Sequence, residues 1–240
     1  MYEKRTYRNL VKTDDLIKFE VIVNETDLLI RAEKNLFSEA KESVLKYRNQ
    51  IETYISTVPS FERSLVPVQE RHHPPEIIKE MISASRLTNV GPMAAVAGAI
   101  AQSVGRDLLH FSRELIIENG GDIYLASSKE RLVGIYAGVS PLSLKIGMVV
   151  EPQKTPLAIC TSSGTVGHSL SFGKADAVCV LSESGALADA AATAIGNVIR
   201  KKDDIEKGLE RGKEIEGVSG VLIIFGEKIG VWGEIRLIGI

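Results

Sequence analysis

Asp189 and Thr193 lie four residues apart in the segment ESGALADAAATAIGN (183–197), which otherwise consists mainly of alanine and glycine. Residues at this spacing share one face of a helix, so the sequence predicts a helix that presents a carboxylate and a hydroxyl together. Two interpretations are open. If Ser182 or Ser184 caps the helix, Asp189 is a favourable charge near its first turns. Alternatively, the two oxygens bind a hard cation such as Mg²⁺, which typically takes one or two protein carboxylates and leaves its other positions to phosphates and water.

Three further segments rich in Gly, Ala or Ser can approach a ligand closely. NVGPMAAVAGAIAQSVG (89–105) predicts a helix with little side-chain volume, against which either another helix or a flat ligand can pack. NGGD (119–122) is typical of a hairpin turn because Asn and Gly accept positive φ, and the glycines leave its backbone amides uncovered. TSSG (161–164) follows a predicted strand, and is either a polar connection or a set of hydroxyls and amides suited to phosphate oxygens.

The remaining candidate side chains are a histidine and two cysteines. His168 lies among small and polar residues four positions after the end of the TSSG segment. Cys160 and Cys179 both lie in apolar runs, which favours buried free thiols over a disulfide or a metal site. The sequence contains neither a Walker phosphate-binding motif nor a GxSxG motif, so it gives no support for P-loop hydrolysis or for a hydrolase nucleophile elbow.

The composition is that of an ordinary folded domain. The chain has 240 residues, of which 44% are hydrophobic and 25% charged, with a formal net charge of -2. This charge gives no reason to expect nucleic acid or an anionic membrane as a partner. The segment MYEKRTYRNLVKTDD has no apolar core, and the longest weakly polar run (90–104) is too short to span a bilayer. We therefore predict a soluble, cytoplasmic protein.

Helical patterns cluster in the first half of the chain. FEVIVNETDLLIRAE predicts two strands with a turn at 24–27, and apolar residues at helical spacing then predict an amphipathic helix over 35–56. Four prolines mark 57–75 as a loop. Pro75 and Pro92 each suit the first turn of a helix, and the predicted helices end near 85 and 109.

Strand patterns dominate the rest of the chain. Short β-branched runs bounded by turn residues predict strands: ELIIE, IYLA, RLVGIYAGV, LSLKIGMVV, PLAICT and DAVCVLS. The alanine-rich helix follows, then a charged helix near 203–212. Two final strands, GVLIIFG and GVWGEIRLI, are predicted to meet at a turn around 227–230, paired within the chain or with a second copy in a homo-oligomer. This order favours one α+β domain over residues 1–240.

The order of the motifs resembles that of the ApbE superfamily, the FAD:protein FMN transferases. That family shows a GGIAKG-like helix, a strand with a GGD turn, a TSG strand end, a downstream His and an ADAxATA helix. The counterparts here are AAVAGAIA (94–101), NGGD, TSSG, His168 and ADAAATA (188–194). ADAAATA is the most specific of them, and the resemblance covers about 89–197.

The resemblance implies an ApbE-like fold with mixed or antiparallel sheets and a Mg²⁺ site formed by Asp189, Thr193 and the main chain of Val96. It implies that the alanine-rich helix is small so that the diphosphate of FAD can lie against it, and that His168 accepts a proton from an acceptor hydroxyl. It also implies a set of ligand-binding residues: Ala97, Gly98, Asn119, Gly120, Gly121, Asp122, Thr161, Ser162, Ser163 and Gly164.

The sequence also departs from the family pattern. Ala97 stands where the family has lysine, and the HxxDPxTG pattern survives only as His168. The closer resemblance is to a small cytoplasmic branch from archaea and anaerobes, in which some members are linked with sulfur assimilation into homocysteine. Two alternatives therefore stay open: an accessory protein in sulfur transfer, with Cys160 as a persulfide carrier, or a relative that binds another nucleotide or diphosphate. The sequence does not indicate an acceptor protein.

Overall fold

A computed structural model describes residue 13 and residues 15–164 and 172–240 of the chain. In this part of the chain the α-helices are α1 (Phe37–Thr57), α2 (Ser60–Arg63), α3 (Glu76–Thr88), α4 (Val96–Leu108), α5 (Gly185–Val198) and α6 (Ile205–Lys213). The strands are β1 (Ile17–Val23), β2 (Thr26–Ala32), β3 (Leu115–Asn119), β4 (Asp122–Ala126), β5 (Arg131–Gly134), β6 (Ile146–Val150), β7 (Leu157–Ser162), β8 (Ala177–Ser182), β9 (Val218–Phe225), β10 (Lys228–Gly233) and β11 (Arg236–Gly239). None of the described helices is long and apolar enough to cross a membrane.

Two antiparallel sheets and one layer of helices make up the architecture. The larger sheet has eight strands in the order β1-β2-β3-β4-β7-β8-β9-β10, and the smaller has three in the order β11-β6-β5. The apolar side chains form two cores, one between the helices and the large sheet and one between the two sheets. Successive residues of a strand point to opposite faces, so Cys160 of β7 lies in the helix-side core and Ile159 in the other. The α+β prediction is confirmed.

Most of the predicted elements are present, with small shifts of their ends. The first hairpin, the long amphipathic helix and the alanine-rich helix are confirmed. The proline-rich loop over 57–75 contains the single turn of α2. The helix predicted from Pro92 begins as a 3₁₀ turn over Pro92–Ala95 before α4 starts. The strand RLVGIYAGV ends at Gly134, because the chain then folds back through a series of turns before β6.

The end of the chain differs from the prediction. GVWGEIRLI does not form one strand, because it divides into β10 in the large sheet and β11 in the small sheet. Gly233 lies at the break with φ of 86°, a conformation that favours glycine. A Cβ atom there would be 2.2 Å from the Ser219 carbonyl oxygen. The two strands meet at a turn as predicted, but the turn is formed by Gly226 and Glu227, earlier than the predicted 227–230, and β10 pairs with β9 within the chain.

A buried network of charges joins the two sheets. The Glu114 carboxylate accepts hydrogen bonds from Ser127 Oγ (2.6 Å), Ser128 N (2.8 Å) and Arg131 Nη2 (2.8 Å). Arg131 also contacts Asp15 at 2.7 Å. Burial acts to raise the pKa of Glu114, but the hydrogen bonds from Ser127, Ser128 and Arg131 prevail and lower it to about 2. The ionised carboxylate therefore stabilises the fold.

We expect Glu114→Gln to lower the free energy of unfolding by about 3 kcal/mol at pH 7, because it removes one partner of a buried ion pair. The folded-state pKa lies below the ordinary value of 4.5. The carboxylate therefore contributes its full stabilisation above that pH and loses it as the pH falls toward 2. Urea unfolding of both proteins from pH 7 to pH 2 measures this effect, and the difference between them should shrink with acid.

Glu130→Gln is the matched control. Glu130 pairs with Arg236 at 2.6 Å, but both side chains are more than half exposed, and exposed pairs contribute about 1 kcal/mol or less. An equal loss of stability in the two variants at pH 7 would contradict the role given to Glu114.

Candidate functional site

Helix α5 is mostly buried, and its polar side chains form one partly exposed stripe. The stripe consists of Asp189, Thr193 and Asn197, which are partly exposed and lie on successive turns of one face. The alanines of the helix are buried and face α3, α4 and the strands β7 and β8; they are Ala186, Ala188, Ala190, Ala191, Ala192 and Ala194. Their small size therefore allows close packing of the helices, and the expectation that they leave room for a diphosphate is wrong for these residues.

The Asp189 carboxylate binds the N-terminus of a neighbouring helix. Of the two serines considered as caps of α5, Ser184 accepts the bond from Leu187 N (3.3 Å). Asp189 lies one turn further on, and it accepts hydrogen bonds from Gly98 N (2.9 Å) and Ala97 N at the start of α4. Those amides have no partner within their own helix, so the carboxylate stabilises α4 across the helix pair and does not serve its own helix end.

Two glycines allow this contact between α4 and α5. A Cβ atom on Gly98 would be 2.2 Å from the Gly185 carbonyl oxygen, and one on Gly185 would be 2.4 Å from the Gly98 carbonyl oxygen. Gln102 fixes the crossing, because it accepts a hydrogen bond from Gly185 N (2.9 Å) and donates one to Glu183 O (3.1 Å). Gln102 was not among the predicted site residues, although a polar residue on the buried face of an alanine-rich helix is a usable signal.

The Asp122 and Asp189 carboxyl groups lie close enough together that the charge of Asp189 acts on the pKa of Asp122. Asp122 is buried at the start of β4, and its Oδ1 accepts a hydrogen bond from Thr161 N at 3.0 Å. Burial raises the pKa of Asp189 to about 7. Burial and then the charge of Asp189 raise the pKa of Asp122 well above its ordinary value. Two carboxylates close together repel each other, so the pair favours a proton or a cation between or beside them.

The turn between β3 and β4 is open to solvent. Gly120 and Gly121 have φ of 66° and 108°, and no atom lies within 4 Å of where a Cβ would be, which confirms the hairpin interpretation. Asn119 points inward instead, and its amide donates to the Ala97 carbonyl oxygen at 3.0 Å. The turn therefore holds the first turn of α4 in place. Asp122, which follows the turn at the start of β4, is buried beside Asp189.

The TSSG segment presents its residues in two directions. The Thr161 hydroxyl donates to Cys179 Sγ at 3.3 Å and so points to the core between the sheets. Ser162 lies on the same face as Cys160, toward the helices, and both Ser162 and Ser163 are partly exposed. Gly164 is exposed, and its amide donates to the Ala175 carbonyl oxygen at 2.9 Å. Ser162 and Ser163 are thus the hydroxyls of this segment that a ligand can reach.

The predicted cation ligands come together in part. Val96 is partly exposed at the start of α4, next to the amides that bind Asp189. Thr193 is one turn, about 6 Å, along α5 from Asp189, and its hydroxyl has no hydrogen-bond partner in the described residues. Nowhere in that part of the chain do three or more His, Cys, Asp or Glu side chains form a group that could hold a metal. His168 lies outside the described residues.

Both cysteines are buried free thiols, as the apolar runs around them predict. Cys160 Sγ lies 3.6 Å from the Gly185 carbonyl oxygen, beneath the Asp122–Asp189 pair. Burial raises the pKa of Cys160 well above its ordinary value, and that of Cys179 to about 11. A thiol without access to solvent and without thiolate character is unreactive, so the structure disfavours Cys160 as a persulfide carrier.

The layers and the site define an ApbE-like fold. The flavin transferase ApbE from Vibrio cholerae matches the structure with a TM-score of 0.58 at 13% identity, over 92% of this chain and 97% of that one. The ApbE protein from Thermotoga maritima matches with a TM-score of 0.55 at 13% identity, over 91% of this chain and 97% of that one. At these identities the likeness shows the fold alone.

The chain belongs to the family described as "AbpE bacteria", whose model matches residues 8–237. Its relatives include the UPF0280 protein of Methanocaldococcus jannaschii, which is 42% identical over 224 residues and 91% of each chain. The UPF0280 protein of Methanococcus vannielii is 42% identical over 227 residues and 92% of each chain. The resemblance stated from the motifs is confirmed.

Proposed function

We propose that this protein binds FAD together with Mg²⁺ beside the polar stripe of α5, and that it transfers the FMN part of the dinucleotide to an acceptor. The Asp122–Asp189 carboxyl pair is the observation that carries the proposal. The chain brings two carboxyl groups close together beside a hydroxyl that has no partner within the described residues. Such an arrangement costs stability unless positive charge is present, and a ligand site accounts for that cost.

The residues present fit a magnesium ion. Mg²⁺ prefers oxygen ligands and needs only one or two from carboxylates. Asp189, Thr193 and the main chain of Val96 would supply them, and the buried carboxyl group of Asp122 lies beside Asp189. When bound, the ion would neutralise charge on the diphosphate of the dinucleotide.

The other residues of the site have binding and proton-transfer roles. The hydroxyls of Ser162 and Ser163 and the amide of Gly120 suit the phosphate oxygens. The prediction of an uncovered amide is wrong for Gly121, because its amide donates to Glu118 Oε1 at 2.8 Å. Thr161 and Asn119 position other parts of the site. The main-chain amide of Thr161 holds the Asp122 carboxyl group, and the side chain of Asn119 holds the first turn of α4. Ala97 carries no charge, so we expect ligand affinity to depend strongly on the cation. We propose that His168 takes the proton from the hydroxyl group that receives FMN.

Titration of the metal-stripped protein with FAD, with and without millimolar Mg²⁺, tests the proposal. The change in flavin fluorescence on binding is the signal. We expect tight binding only when Mg²⁺ is present. Equal affinity under both conditions would remove the cation from the proposal, and no binding under either condition would overturn it.

Thr193→Val is expected to weaken Mg²⁺-dependent FAD binding about tenfold, or about 1.4 kcal/mol. Valine keeps the branched shape of the side chain but removes the hydroxyl oxygen. Thr53→Val is the matched control, because Thr53 is exposed on α1, and it should bind FAD as the wild type does. The same affinity in Thr193→Val and the wild type would remove Thr193 from the ligand set.

A further inference from the structure

An exposed aromatic residue lies beside the end of the polar stripe. Phe172 is 46% exposed, and its amide donates to Asn197 Oδ1 at 2.9 Å. Its carbonyl oxygen accepts a hydrogen bond from Arg200 Nη1. Side chains at and just beyond the end of α5 therefore hold the backbone of Phe172 from both sides.

The residues that follow Phe172 press against the last turn of α5. A Cβ atom on Gly173 would be 2.2 Å from the Gly196 carbonyl oxygen, so this contact requires glycine. Lys174 N donates to the Ile199 carbonyl oxygen at 2.9 Å. The backbone that carries the aromatic side chain is thus fixed relative to the helix that carries Asp189 and Thr193.

The spacing along α5 matches the layout of a nucleotide. A helix rises 1.5 Å per residue, which puts Asn197 about 6 Å beyond Thr193 and about 12 Å beyond Asp189. In FAD and ADP the diphosphate is joined to a flat ring through a sugar or ribityl linker. At the Asp189 end the stripe is closed by the start of α4 and the buried Asp122. A ring attached to a diphosphate at Asp189 and Thr193 is therefore directed toward Asn197 and Phe172.

We propose that Phe172 stacks on the flat heteroaromatic ring of the bound nucleotide and so determines which diphosphates the site accepts. This inference rests on the proposed function. Stacking of a base on an aromatic side chain strengthens binding by roughly tenfold or more, whichever base is present. It would make the site select nucleotides over inorganic pyrophosphate without hydrogen bonds to the ring.

Calorimetric titration of the full-length protein in Mg²⁺ with FAD, ADP and inorganic pyrophosphate tests this role. We expect Phe172→Ala to weaken FAD, ADP or both by roughly tenfold and to leave pyrophosphate unchanged. Phe172→Trp keeps a flat ring and should restore the lost affinity. A loss for FAD alone identifies the isoalloxazine as the stacked ring, and a loss for ADP identifies the adenine.

Phe111→Ala is the matched control. Phe111 is 48% exposed, but it follows the far end of α4, about 20 Å from the first turn that binds Asp189. This variant should bind all three probes as the wild type does. If Phe172→Ala weakens all three probes equally or none of them, the stacking role is overturned while the proposed function stands. If the wild type binds none of the three, the proposed function is overturned and the stacking role with it.

Discussion

Asp189→Asn is expected to abolish the Mg²⁺ dependence of FAD binding while the protein stays folded. The variant removes the anionic oxygen that would hold the cation, and we expect affinity in Mg²⁺ to fall at least about 100-fold, or about 2.7 kcal/mol. Asparagine keeps a side-chain oxygen that can accept the hydrogen bond from Gly98 N, so α4 keeps its partner. Fluorescence titration with and without Mg²⁺ measures both affinities.

Although it weakens ligand binding, the same substitution should maintain or raise the stability of the metal-free protein. Without a cation, Asp189 and Asp122 repel each other when both are ionised, so Asp189→Asn should unfold at the same or a higher temperature than the metal-free wild type. Mg²⁺ should stabilise the wild type, because a ligand that binds only the folded state raises its stability, and it should not stabilise the variant. Thermal unfolding with and without Mg²⁺ shows the difference.

Asp107→Asn is the control for this pair of measurements. Asp107 lies on α4 and accepts hydrogen bonds from Ser43 and Lys46, near the surface and away from the α4 N-terminus. It should retain the stabilisation by Mg²⁺. An Asp189→Asn protein that binds FAD and Mg²⁺ as tightly as the wild type would show that the cation site lies elsewhere.

The sequence predicts those parts of the site that depend on neighbours along the chain. Asp189 and Thr193 share a face because helical periodicity puts residues four apart together, and the structure confirms that they lie on one stripe. The NGGD hairpin follows from the positive φ that glycine accepts. The proximity of Asp122 to Asp189 has no such local signal, because it arises from the packing of α5 against the ends of β4 and β7.

The faces of the central strands could not be predicted for a physical reason. All residues of β3 and β8 are buried, since helices cover one side of the large sheet and the small sheet covers the other. A strand buried on both faces has no alternation of polar and apolar residues. The first four residues of β7 are buried in the same way. The sequence therefore predicts a strand at PLAICT but gives no basis for placing Thr161 on one face and Ser162 on the other.

Small residues posed a similar ambiguity. An alanine-rich helix permits close approach on every side, and the pattern does not say whether a ligand or another helix takes that space. The structure assigns the buried side of α5 to helix packing and only the polar stripe to solvent. Gly98 and Gly185 decide the geometry, because the backbones of α4 and α5 meet at these two residues.

Gly185→Ala is therefore expected to destabilise the protein, against the trend of helix propensity. In an exposed helix interior, alanine would stabilise by about 1 kcal/mol relative to glycine. Here the added Cβ would be 2.4 Å from the Gly98 carbonyl oxygen, and backbone cannot move aside as a flexible side chain can. Overpacking of this kind costs about 1–3 kcal/mol, and we expect the upper end of that range in urea unfolding.

Gly208→Ala separates this effect from the general cost of an added methyl group. Gly208 lies in α6, where a Cβ would meet the ends of Ile223 and Ile199 at 2.7 and 2.8 Å. Those side chains can change rotamer, so the gain in helix propensity should offset most of the crowding.

Since Gly98 also donates its amide to Asp189, separating α4 from α5 should weaken Mg²⁺-dependent FAD binding in Gly185→Ala but not in Gly208→Ala. Equal stability and equal FAD affinity in the two variants would mean that the α4–α5 contact does not position Asp189.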